Sequence, residues 1–288
     1  MDRVPVDTMV SAQRDFAKAL LRVTYRRVRD TVMKTLFLAW QDKRLRGEQE
    51  DGTRAWFPIG RLDAELEDSH YRFAYTRGAL QAKEKVGFQP LDAFPKFETL
   101  YESSELFPLF QNRLISTKRE DYAEYLTRLD LSPERAGPFE ILAISGGGKQ
   151  TDNLEVFPKI HPRRDGRFSC KFFLHGWRHV NAPSQGRLNL LQPGEQLQVS
   201  VELNNPATGV AVQLVTATDY FILGWAPRYL IHDVLQAISG GPTHIQARVV
   251  RLNPPPAPHN QRLLVELEGT FPAGFEPMSR EEFRPLRS

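Results

Sequence analysis

Gln196-Leu-Gln-Val-Ser-Val-Glu-Leu203, followed after Asn204-Asn-Pro-Ala-Thr-Gly209 by Val210-Ala-Val-Gln-Leu214, is the stretch on which the fold turns. Leu197, Val199, Val201 and Leu203 alternate with Gln196, Gln198, Ser200 and Glu202, so successive side chains would leave opposite faces of a strand. Val210, Val212 and Leu214 repeat the period, and the residues between are ones that turn chains. Outward from this hairpin, Tyr220 to Gly224 reads as another strand. Leu230, Val234 and Ile238 predict a short helix stopped by Gly240-Gly241. Ile245, Ala247 and Val249 alternate again, as do Leu263, Val265 and Leu267. Asn253-Pro-Pro-Pro-Ala-Pro258 between them is excluded from a central strand, because proline has no N–H to give a ladder. Short antiparallel strands in this order predict closure into a small β-barrel of the SH3 or OB type.

The region upstream predicts a second unit of sheet and helix, so the fold class is α+β. Leu36, Leu38 and Trp40 alternate with smaller residues; Trp56 to Leu62 and Tyr71 to Tyr75 read as further strands, with an Asp51-Gly52 turn between the first two. A helix is expected around Ala79 to Lys85, and Leu106 to Leu114 reads as helical. Thr117-Lys-Arg-Glu120 has the form of a capping box opening a helix with Tyr122, Tyr125, Leu126 and Leu129 on one face. Ser132-Pro133 predicts a further helix start, with Ser145-Gly-Gly-Gly148 as its stop. The expected division is a basic helical extension over 1–32, an α+β unit over 33–158 and the barrel over 159–288.

Charge is concentrated at one end. The pI is about 9.0, yet seven basic and four acidic side chains within residues 1–32 account for the whole net charge of +3. Phe16, Leu20 and Val23 sit there at helical spacing with arginines opposite. Met33 reads as a genuine or alternative start. A single cysteine, Cys170, excludes an internal disulfide and a cysteine-rich zinc site. No apolar run approaches the roughly 20 residues needed to cross a bilayer, and a cytoplasmic location is expected.

Lys159 to Val180 mixes Lys159, Arg163, Arg164, Arg167, Lys171 and Arg178 with Phe168, Phe172, Phe173 and Trp177. Cations attract phosphate and rings stack on unpaired bases, which suits single-stranded nucleic acid. The competing reading is a strand with rings in the core and charges in water. Gly146-Gly-Gly148-Lys149 fails as a phosphate loop, because Ala143 stands at its first glycine and Gln150 at its hydroxyl. His175 and His179, placed on one strand, would lie ~13 Å apart, too far for one metal ion. Glu155 with Lys159 is weakly similar to nuclease carboxylate–lysine sites. No cofactor, metal or intrinsic catalytic activity is expected.

Five short pieces in order resemble the HIRAN domain: Gly176-Trp-Arg178-His179, Gly194-Glu-Gln-Leu197, Asn204-Asn205-Pro206, Val210-Ala-Val212 and Gly224-Trp-Ala-Pro227-Arg228. Trp56 to Arg61 and Leu106 to Phe110 are similar to pieces of bacterial stand-alone proteins of that type. The resemblance implies a small barrel that binds single-stranded DNA or DNA 3′ ends in repair, restriction or phage defence. It implies no enzyme of its own, with a helicase or nuclease as a possible protein partner. By position it assigns Arg178 and His179 to the terminal bases, Asn204 and Asn205 to the turn, and Trp225 and Arg228 to the phosphates. The turn Asn205-Pro-Ala-Thr-Gly209 lacks the Tyr and Asp usual in the family. Without that carboxylate, a protein-interaction adaptor is the alternative function.

Overall fold

A computed structural model describes residues 33–42, 55–66, 69–149 and 151–287. The basic extension over 1–32 and the Asp51-Gly52 turn lie outside the described residues. The fold is α+β, with two antiparallel sheets and, among the described residues, six α-helices. Its elements are β1 (Met33–Gln41), β2 (Trp56–Glu65), β3 (His70–Tyr75), α1 (Arg77–Val86), β4 (Tyr101–Ser103), α2 (Pro108–Gln111), α3 (Tyr122–Arg128), α4 (Pro138–Ser145) and β5 (Leu154–Pro158). They continue with β6 (Arg167–Phe173), α5 (Ala182–Leu188), β7 (Gln196–Asn205), β8 (Gly209–Thr216), β9 (Ile222–Trp225), α6 (Arg228–Gly240), β10 (Gln246–Leu252) and β11 (Leu263–Thr270).

The first sheet runs β4-β3-β2-β1-β5 and the second β6-β11-β10-β7-β8-β9. The second sheet is not a closed barrel. Its two edge segments meet at a single bridge, where His175 pairs with Trp225. The two residues exchange both backbone bonds, His175 N–H donating to the Trp225 carbonyl at 2.8 Å and Trp225 N–H to the His175 carbonyl at 2.9 Å.

The sheets face each other across a shared core. β1 is buried on both sides. Leu36 and Leu38 pack with Phe73, Phe94 and Phe110, while Phe37 and Ala39 face Phe168, Phe172 and the residues of α6. β11 is its counterpart in the second sheet. Leu263, Val265 and Leu267 enter the shared core, and Leu264 packs outward against Tyr125, Leu126 and Ile141 of α3 and α4. Alternation among the largest residues therefore discloses only one of two buried faces in each strand. The C-terminal residues return to the first sheet, where Arg77 N–H donates to the Arg284 carbonyl and Leu286 N–H to that of Tyr75.

Two helix starts differ from expectation. Thr117 caps nothing: Lys118 N–H donates to the Ser116 hydroxyl, and the helix opens only at Tyr122. The Asp121 carboxylate at its mouth is held by Arg119. Ser132-Pro133 opens one 3-10 turn; Gly137, extended because Pro138 follows it, breaks the chain before α4 begins. Gly146, at φ 72°, then stops α4 as a helix-ending residue. Helix α5 was not anticipated, although Asn181 accepting from Ser184 N–H at 2.9 Å, with Pro183 in the first turn, is a legible start signal.

The Lys159–Val180 stretch follows the competing reading. Phe168, Phe172 and Phe173 are buried in β6, and their rings are not available to stack on a base. Three of its six cations are paired on the surface: Lys159 with Glu276, Arg167 with Asp165, and Lys171 with Asp130. Cys170, beside them on β6, has its thiol pushed up to about 12 by burial, with Glu266 and Asp233 adding to the rise.

Candidate functional site

A groove of about 590 Å³ opens where the β7–β8 turn, the end of β9 and the start of α6 meet the segment after β6. Its floor is Trp225. The chain passes this indole at Gly176, whose φ of +69° is the left-handed region. A Cβ there would stand 2.5 Å from the Trp225 Cε3 atom, so both backbone shape and space call for glycine.

One carboxylate organises the rest. Trp225 Nε1 donates to Glu202 Oε2, and Asn205 Nδ2 donates to the same oxygen at 2.8 Å. The Asn205 Oδ1 atom in turn accepts from Ala207 N–H at 2.9 Å and from the Thr208 hydroxyl at 3.1 Å. The side chain thus closes the turn on itself, as asparagine does before a tight loop. Arg228 is the first residue of α6 and reaches across to donate from Nη2 to the Ala207 carbonyl at 2.9 Å. The imidazoles of His175 and His179 line the same groove.

Of the six residues expected at this site, the groove brings together His179, Asn205, Trp225 and Arg228. Arg178 and Asn204 do not line it. Arg178 is exposed in the 3-10 turn Trp177–His179. Asn204 occupies a β-bulge at φ 61°, solvent-exposed. Of the two arginines that the resemblance assigns to the site, the groove holds Arg228 alone, together with the carboxylate of Glu202. His175 and His179 also part from expectation: the strand ends at Phe173, so one sits in the bridge and the other in a turn.

Two contributors were missed. Glu202 had a signal, since it lies three residues before Asn205 on a polar position of β7; nothing local tells that it meets Trp225. His175 directly precedes the Gly176 motif. Among the described residues, no group of three or more His, Cys, Asp and Glu side chains is placed to hold a metal ion. No described helix is long and apolar enough to cross a membrane.

On the other side of the His175–Trp225 bridge lies a second, smaller cleft of about 220 Å³ between the sheets. Glu155 and Tyr229 line it, with the glycine loop after α4 at its rim. Trp56 Nε1 donates to Glu155 Oε2 at 3.3 Å. The Tyr229 ring stacks on Phe157 with centroids 4.2 Å apart. Burial, and next the Glu155 charge, raise its hydroxyl well above the usual phenol range. Lys159 is paired with Glu276, and it does not line the cleft with Glu155.

No protein-family model and no curated protein matches the chain. A crystal structure of a protein from Lactobacillus plantarum is similar over 37% of this chain and 100% of its own, at 17% identity and a TM-score of 0.28, a likeness too slight to carry an argument.

Proposed function

We propose that the Trp225 groove binds single-stranded nucleic acid, and that the second sheet with α6 is an open version of the HIRAN fold whose edges touch at one bridge. The observation that carries this reading is that an indole and a guanidinium line one groove with two imidazoles. An unpaired base stacks on the indole, and the adjoining phosphate accepts from the Arg228 fork. Glu202 holds the ring and the turn in register. It supplies, from β7, a carboxylate near the turn that lacks the family aspartate. The protein acts in this reading as a binding component for DNA ends in repair, restriction or phage defence, with catalysis supplied by a helicase or nuclease partner in the cytoplasm.

Fluorescence anisotropy with labelled single strands, bearing free or blocked 3′ ends, tests this. Stacking is worth roughly 1–3 kcal/mol per base, so Trp225→Ala is expected to weaken binding about tenfold or more. Binding absent at low salt, or unchanged in Trp225→Ala and Arg228→Ala, would overturn the reading. One observation favours the alternative, a protein-interaction adaptor: Leu203, Tyr220 and Leu190 are large apolar side chains left about two-thirds exposed. Stoichiometric recovery of one protein partner in the absence of DNA, lost in Leu203→Asp, would support it.

A further inference from the structure

We propose that the cleft between the sheets is a separate binding site for a neutral nucleobase that presents paired N–H donors, with guanine the best fit. The cleft shares His175 with the groove, yet the bridge between His175 and Trp225 stands between them. Successive residues divide across that wall: Arg228 lines the groove and Tyr229 the cleft.

The lining dictates the ligand. Among the described residues no lysine or arginine borders the cleft, so none of them compensates a phosphate or carboxylate there. Ile144, Phe173 and Pro227 provide apolar surface. Glu155 is half-buried among them, and its hydrogen bond is one long contact from Trp56 to a single oxygen. A carboxyl group with one such contact has acceptor sites left for N–H donors. Two parallel donors match two carboxylate oxygens, as the N1–H and amino group of guanine do. Tyr229 and Asn260 add a hydroxyl and an amide at the same cleft for the remaining polar edge. The volume is below that of drug-sized pockets, which suits one bicyclic ring and not a larger ligand. Glycine is useful at the rim: a Cβ at Gly148 would meet nothing within 4 Å, so the mouth stands open at that point.

The inference does not depend on strand binding in the groove, and free nucleosides test it without a phosphate for Arg228 to hold. Titration calorimetry of the full chain with guanosine, inosine and thymidine is the experiment. Guanosine is expected to bind. Inosine, which lacks the amino group, should bind roughly tenfold more weakly through loss of one charge-assisted bond. Thymidine should be weaker again. Glu155→Gln is expected to lower guanosine affinity at least about tenfold. Gly148→Trp, placed where the backbone has room, is expected to abolish it while leaving the unfolding midpoint unchanged. Absence of guanosine binding, equal binding of thymidine, or full binding in both variants would overturn the assignment. Loss of oligonucleotide binding in Arg228→Ala bears on the groove alone.

Discussion

The groove and the cleft lie back to back on one bridged residue pair, but their chemistry is opposite. The groove contains Arg228 and its one carboxylate, Glu202, is engaged by Trp225 and Asn205. The cleft contains Glu155 and, among the described residues, no lysine or arginine. The groove is built on turns and strand ends, where side chains reach into solvent. The cleft is bounded by β5 and α6 of the packed interior, and its rim is fixed from behind by Arg113. That guanidinium, 2% exposed, donates to the Gly147 carbonyl at 2.8 Å and pairs with Asp152. A single polypeptide thus places a guanidinium-bearing groove and a carboxylate-bearing cleft on either side of one bridge. What separates them is the side of the sheet on which each residue emerges, not any difference in local composition.

The largest expected effect breaks the cleft alone. Asp152→Ala leaves the buried Arg113 charge unpaired, which costs about 3–4 kcal/mol. Denaturant unfolding measures it, and oligonucleotide binding of the remaining folded protein should be little changed.

Next is a change that acts on both sites through α6. Asp233 is buried on that helix and accepts from Met278 N–H at 3.2 Å. Burial raises its pKa from 3.8 to about 6, with the Met278 bond opposing the rise. The folded protein therefore holds this proton more tightly than the unfolded chain does. The resulting stabilisation is complete below about pH 4 and is lost as the pH rises through about 6. Relative to Asp233→Asn, the wild type should lose about 2–3 kcal/mol between pH 4 and pH 7, read as the difference between two urea-unfolding series.

Gly176→Ala attacks the shared wall. The left-handed backbone and the approach to Trp225 together cost about 2–3 kcal/mol, and indole fluorescence should shift with the loss. A smaller effect separates the faces: Arg228→Ala is expected to weaken oligonucleotide binding by about 1–2 kcal/mol and guanosine binding not at all. The smallest sharpens the choice of arginine. Arg178→Ala, outside the groove, should change oligonucleotide affinity less than about twofold, as expected for an exposed surface residue. A loss equal to that of Arg228→Ala would place the strand along a different path.

Much of this was legible in the chain. The β7–β8 hairpin, the helix ended by Gly240 and the strands through Val249 and Val265 stand where the alternation puts them. Trp225, Arg228, Asn205 and His179 do share a groove. The failures have physical causes. Arg178 and His179 are adjacent in sequence, but a 3-10 turn sends one into solvent and the other to the groove. The rings of Phe168 and Phe172 look like stacking platforms in composition and are core residues in space. Thr117 and Glu120 have the spacing of a capping box, yet the Asp121 carboxylate pairs with Arg119 and the helix starts later.

The sequence alone determined most of the strands and the helix stops, though not α5 or the starts of α3 and α4. Alternation, proline and glycine act through the sterics of neighbouring residues, and those are written locally. Only the tertiary structure decided that β1 and β11 bury both faces, that Glu202 meets a tryptophan 23 residues away, and that Glu155 of β5 and Tyr229 of α6 line one cleft. Such meetings depend on strand register, twist and sheet packing, which no local period specifies.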